Sequence, residues 1–270
     1  MPTVLVLFAG GATAGVFGAI LGLGGGILIV PFLTILVGEP LPLAIGTSLV
    51  AVVATSTGAA AHNVRTGRAD VRLGLTLEVG TIVGATAGGI LAGLVAEQVL
   101  AGLFAGLLLY TSLSLLRSAL QPSTVDATAP DVHPGARDGA SAPAYRTRRL
   151  PLALAGSAGA GVVSALLGVG GGIVKVPLLR MVMGVPMHVA AATSNFVIGV
   201  TAAAGAYAYL LRGDVEPLTA GPVVLGAMAG ATIGARVAPH LRARWLTALF
   251  VVVTAWVSIE MGVRALGGSN

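Results

Sequence analysis

The sequence predicts an all-α integral membrane protein made of two tandem copies of one helical unit. Each copy opens with a glycine-broken helix and continues through three spans. Three observations predict this. Of 270 residues, 56% are hydrophobic and only 9% are charged, with a mean hydropathy of +0.95, whereas a soluble domain carries about 25% charged residues. Apolar runs at 42–61, 73–96, 99–116, 188–211, 217–235 and 245–263 approach or exceed the roughly 20 residues that cross a bilayer. Finally, LGLGGGILIVPFL at 21–33 returns as LGVGGGIVKVPLL at 167–179.

The chain begins with MPTVLVLFAGG, which has no basic n-region and reads as a retained helix rather than a cleaved signal. That helix breaks at the glycines of 22–26. The following ILIVPFLTILVG is too short to span at about 1.5 Å per residue, so it reads as a half-helix. Three spans complete the first membrane repeat, residues 1–120. Residues 121–149 are rich in Pro, Ala, Ser, Asp and Arg and have no apolar period, which predicts a disordered polar linker with His133 as a solvated member. Residues 150–270 form the second repeat. A shift of 146 lays Gly15–Ser48 on Gly161–Ser194 without a gap, and half the positions are identical. Gly24, Gly25 and Gly26 fall on Gly170, Gly171 and Gly172, Val30-Pro31 on Val176-Pro177, and Thr47-Ser48 on Thr193-Ser194. The register continues more weakly through Gly80, Gly84 and Gly88 on Gly226, Gly230 and Gly234. Such a register marks a tandem duplication.

The net charge is +5, but the basic residues sit in loops between apolar spans, without the aromatic interleaving of a nucleic-acid surface. The absence of cysteine excludes disulfides and thiolate metal sites, and the four histidines are scattered. No metal site or cofactor is expected. In the first half Arg65, Arg68 and Arg72 share a loop, while the loop at Glu97 and Gln98 has no base. In the second half RGDVEP has one Arg against two acids, and Arg236, Arg242 and Arg244 flank the next loop. Positive loops stay cytoplasmic, so equivalent loops face opposite sides and the copies are inverted. Inversion requires an odd number of crossings per copy. The broken segment must then enter and leave on one side, as a re-entrant or two-leg hairpin, with the linker cytoplasmic and both termini outside. The rival is eight simple spans in parallel copies with both termini inside, which leaves Arg242 and Arg244 outside.

Three consecutive glycines expose backbone groups that hydrocarbon cannot satisfy, so such a break survives only within protein or beside a water-filled cavity. A half-helix beginning there presents free N–H groups and the positive end of its dipole, an anion site. Gly24, Gly25, Gly26, Gly170, Gly171 and Gly172 are therefore candidate substrate contacts near the midplane. The alternative is close helix packing through small residues. It suits Gly80, Gly84, Gly88, Gly226, Gly230 and Gly234 better than a glycine run ahead of Val-Pro.

The paired GLGGGILIVPFL and GVGGGIVKVPLL, each followed by Thr-Ser in AIGTSLV and AAATSNF, resemble the sulfite exporter TauE/SafE family of membrane permeases. The resemblance covers both halves but not the linker. It implies a multi-pass protein of the cell membrane that moves small sulfur-containing oxyanions such as sulfite, organosulfonates or thiosulfate, as an exporter.

Lys175 is the only lysine, in the first turn of the second half-helix, and its counterpart is Ile29. A charge inside a membrane usually has a function, so Lys175 is expected to face the anion; the alternative is a lysine snorkelling to the interface. Thr47, Ser48, Thr193, Ser194 and Asn195 are candidate donors to oxyanion oxygens, although Ser and Thr also cap and bridge helices. Glu78, inside a span, reads as a carrier of a coupling proton or as a partner for an arginine. His62 and Glu260 read as interfacial, and Arg180 as lining the pathway or marking the cytoplasmic surface. A secondary transporter competes with an anion channel having the same pore and with an intramembrane enzyme. The last lacks a His-Glu-x-x-His or Gly-x-Ser-x-Gly motif. Partners are a small anion and the bilayer, with no nucleic acid; a homo-oligomer is left open.

Overall fold

The computed structural model describes residues 2–21, 24–65, 71–120, 150–183, 185, 187–237 and 243–267. The linker 121–149 lies outside the described residues. The first half contains α1 (Pro2–Leu21), α2 (Gly26–Pro31) running on into a π-helical segment (Phe32–Val37), α3 (Leu41–Arg65), α4 (Val71–Ala92) and α5 (Glu97–Leu120). The second contains α6 (Leu150–Leu167), α7 (Gly172–Met183), α8 (Met187–Arg212), α9 (Pro217–Val237) and α10 (Ala243–Ala265). All regular structure among the described residues is helical. Four segments there are long and apolar enough to cross a membrane: Thr3–Ile20, Val71–Ala92, Glu97–Ser114 and Pro217–Val237.

The chain reverses at each glycine break. Gly25 lies against Ala14 and Gly15 of α1, Gly18 packs on Gly25, and Phe32 packs on Gly10. In the second half Gly171 lies against Ala160 and Ser164 of α6, and Leu178 packs on Gly156. α1 with α2, and α6 with α7, are hairpins with one long and one short leg. The short legs start alike: Leu28 and Ile29 N–H donate to Gly25 O at 3.1 and 3.2 Å, and Val174 and Lys175 N–H to Gly171 O at 3.2 and 3.0 Å. Their ends are also alike, with Glu39 N–H on Leu33 O at 3.0 Å and Val185 N–H on Leu179 O at 3.1 Å.

Small residues bring the long helices together. On α9, Gly226, Gly230 and Gly234 face the carbonyls of Phe8, Ala12 and Val16 on α1, so close that a methyl group would collide with each. On α4, Gly80, Gly84 and Gly88 face the carbonyls of Leu154, Ala158 and Val162 on α6 in the same way. The regular glycines are packing positions. α1 therefore runs parallel to α9, and α6 parallel to α4. By contrast, α3 and α8 run antiparallel, since Gly46 meets Tyr209 while Ser56 meets Gly199. α5 and α10 are antiparallel too: Ser112 Oγ donates to Val251 O at 3.3 Å, and Ser258 Oγ to Ala105 O at 2.8 Å.

The most deeply buried side chains, among them Ile27, Ile29, Leu33, Ile45, Leu49 and Ile198, surround the short α2 and the α3–α8 pair. Large apolar residues such as Val79, Val83, Leu210, Ile233, Val252 and Ile259 cover the outside, where a bilayer solvates them. Glu97 Oε1 accepts from Leu41 N–H at 2.9 Å, which supplies a carboxylate to the positive end of α3.

Candidate functional site

The two glycine breaks meet at the centre of the molecule. Gly24 and Gly25 hold φ of 75° and 82°, and Gly168, Gly170 and Gly171 hold 70°, 78° and 79°. Side-chain-bearing residues enter this left-handed region only at a cost, which explains glycine at these positions. The breaks touch directly: a methyl group on Gly26 would strike the Gly168 carbonyl and lie 3.1 Å from Val169 Cα. Ser48 spans them, its Oγ 2.8 Å from Gly168 O and 3.3 Å from Gly26 O. Thr55 Oγ1 donates to Gly24 O at 2.9 Å. Val52 and Ile198 close over Gly24 and Gly170. A small cavity of about 10 Å³ lies beside Gly18, Gly24, Thr55, Ser56 and Ile198, close to the lower limit for a single water.

Beside this junction lies a buried polar triangle. Lys175 Nζ is 2.6 Å from Glu78 Oε2 and 2.8 Å from Thr201 Oγ1, and Thr201 Oγ1 in turn donates to Glu78 Oε1. The three residues are 3%, 2% and 0% exposed. They come from α7, α4 and α8, so the triangle joins a half-helix of the second half to a span of the first. Opposite charges this deep persist because each satisfies the other and Thr201 fills a remaining bond. Lys175 is thus a paired cation, and Glu78 pairs with a lysine rather than an arginine.

The other expected residues fall into three groups. Ser48 is committed to backbone carbonyls. Thr47 and Ser194 are fully buried, with hydroxyls that have no hydrogen-bond partner among the described residues; Thr193 is buried beside Ser194 on α8. Gly172 opens α7 and is buried. The Asn195 and Arg180 side chains lie outside the described residues, as does that of His62. Glu260 is partly exposed and lies 3.9 Å from Arg264 Nε, away from the junction. Arg264 also donates to Thr34 O at 3.1 Å, a carbonyl of the π-helical segment. The residue that sequence reasoning missed is Thr201. A signal for it existed, since the 146-residue shift places it on Thr55, which bonds the Gly24 carbonyl.

A second cavity of about 210 Å³ is lined by Gly10, Thr13, Phe17, Leu28, Phe32 and Phe250, between α1, α2 and α10. Its walls are almost wholly apolar, unsuited to an anion.

The sulfite exporter TauE/SafE family model matches residues 7–261. "Probable membrane transporter protein YunE" of Bacillus subtilis (strain 168) is 26% identical over 264 residues, covering 95% of this chain and 96% of that one. "Probable membrane transporter protein YdhB" of the same organism is 27% identical over 243 residues, covering 87% and 89%. No solved structure matches the chain. A match across nearly the whole chain, on a helical scaffold with membrane-length spans, leads to one conclusion: this protein belongs to the sulfite exporter TauE/SafE family and is a multi-pass membrane transporter, not an enzyme.

Proposed function

We propose that the protein is a secondary transporter that exports small sulfur-containing oxyanions, sulfite or organosulfonates, across the plasma membrane. In this reading the anion binds near the bilayer midplane where the two glycine breaks meet. The observation that carries it is the contact of Gly26 with Gly168 and Val169, bridged by Ser48. At that contact α7 begins. Its Val174 and Lys175 amides are bonded to Gly171 O, and the amides just ahead have no intrahelical acceptor. An oxyanion there gains those N–H groups, the helix dipole and the nearby cation. The hydroxyls of Thr47 and Ser194, without a partner among the described residues, are donors of the same kind.

Two copies of opposite orientation form the scaffold of this proposal. The support is the pairing of helices. The contacts of Gly226, Gly230 and Gly234 with residues 8, 12 and 16 become those of Gly80, Gly84 and Gly88 with residues 154, 158 and 162 when both partners move by 146. Each hairpin returns to its starting side, so each copy crosses an odd number of times. α1 then runs opposite to α6, because α1 is parallel to α9. Inverted repeats of this kind meet at a midplane site and alternate its access by rocking. The close contact of the two breaks, with Gly26 against the Gly168 carbonyl, favours a carrier over an open channel.

The test is a binding screen on purified protein. Sulfite, thiosulfate, sulfoacetate, sulfate and acetate are compared by thermal shift, with stabilisation expected for the sulfur anions of low oxidation state or with a sulfonate group. Equal responses to acetate and sulfite, or no response to any, would reject the substrate class.

A further inference from the structure

We infer that Glu78 is the coupling site of this transporter: the anion displaces it from Lys175, and Glu78 accepts one proton for each monoanion bound. The inference rests on the oxyanion reading above and adds the ion that accompanies the substrate.

The first argument is charge count. Lys175 and Glu78 sum to zero in a site 2–3% exposed. A monoanion bound beside Lys175 would leave one uncompensated negative charge in the membrane interior. Buried groups in that position neutralise rather than stay charged. Glu78 is the acid positioned to do so, 2.6 Å from the cation the anion seeks. The surrounding elements offer no other described candidate. α6 has no titratable side chain at all. On α4 the remaining charge is Arg72, about 9 Å along the helix from Glu78. On α7 it is Arg180, another cation. On α8, His188 lies near the start of the helix and its side chain is outside the described residues. Tyr207 is exposed, Tyr209 donates to Ala165 O at 3.0 Å, and Arg212 bonds to Asp214 and the Gly89 carbonyl.

The second argument is the wiring of Thr201. With Glu78 ionised, its hydroxyl accepts from Lys175 and donates to Glu78 Oε1. A second acceptor waits at Val197 O, 3.3 Å away. When Glu78 gains a proton, its new O–H donates to Thr201 Oγ1 and the Thr201 hydrogen turns to Val197 O. Glu78 Oε1 and the Thr201 hydroxyl therefore keep hydrogen bonds in both protonation states, and the proton comes from solvent when the site opens. The third argument is asymmetry. The 146-residue shift places Ile29 on Lys175 and Val224 beyond Glu78, so the opposite half-site carries no charge pair. One such charge pair among the described residues implies one proton per monoanion and electroneutral movement in the same direction.

The experiment is isothermal titration calorimetry of the purified full chain with methanesulfonate, which stays ionised throughout the range. Buffers of differing ionisation enthalpy give the number of protons taken up. The parent is expected to take up about one proton per anion, its affinity falling by up to about tenfold per unit rise in pH. Glu78→Gln, which mimics the protonated state, is expected to bind with no uptake and a flat pH profile. Binding by the parent without proton uptake, or uptake that persists in Glu78→Gln, overturns the coupling site but leaves the substrate reading standing. No binding of methanesulfonate by either folded protein at any pH overturns both.

Discussion

At the residue scale, the lysine is held by what it would lose. Lys175→Met leaves the Glu78 carboxylate buried without its cation, a change that costs about 3–5 kcal/mol in folded proteins. Thermal unfolding in detergent should record that loss, and Lys175→Met combined with Glu78→Gln should recover most of it. A double variant no more stable than the single one would mean that the pair is not closed in the folded protein. Ser48→Ala strips a 2.8 Å bond from the Gly168 carbonyl and should cost about 1–2 kcal/mol by the same assay. Thr47→Val should be neutral or stabilising, because its hydroxyl has no partner among the described residues and Val fills the same shape; an anion site there would show instead as weaker sulfite binding. Lys175 and Glu78 each stand out in the sequence as charges in apolar runs. Their pairing does not, because it joins positions 97 residues apart and depends on which faces of α4 and α7 meet. Thr201 was hidden by its type, since threonine in a membrane helix commonly bonds its own backbone.

At the element scale, the glycines divide into two kinds with different physics. Gly24, Gly25, Gly168, Gly170 and Gly171 serve a left-handed backbone, whereas those on α4 and α9 let neighbouring carbonyls approach. Gly84→Ala should therefore lose about 1–3 kcal/mol through overpacking against Ala158, and Gly230→Ala should lose a similar amount against Ala12. Gly106→Ala on α5, with nothing within 4 Å, should instead gain slightly from helix propensity. Thermal unfolding of the three variants in one detergent checks the pattern; equal effects at all three positions would contradict the packing assignment. Period and composition made both kinds of glycine visible, as well as the half-helices. Helix ends were less visible: the apolar run 73–96 passes through the end of α4 at Ala92, because the turn before Glu97 is as apolar as the helix. The π-helical segment after Pro31 leaves no compositional trace.

At the scale of the whole molecule, the proposed inversion predicts sidedness. In this cysteine-free chain, a single cysteine at Ser141 should resist an impermeant maleimide in intact cells while one at Ser269 reacts; the reverse pattern contradicts inverted copies. Loop charges already pointed that way in the sequence, but the direction of one helix against another comes only from contacts such as Phe8 with Gly226. In the proposed site, backbone amides and Lys175 would recognise charge and size more than a named anion, so residue types alone do not spell out the substrate. The most direct measurement is sulfite counterflow in proteoliposomes reconstituted with the full chain. A carrier with one central oxyanion site predicts that unlabelled sulfite or methanesulfonate inside accelerates entry of labelled sulfite, and that Lys175→Met combined with Glu78→Gln abolishes the acceleration. Entry indifferent to the trans anion, or equally fast in that double variant, would contradict it.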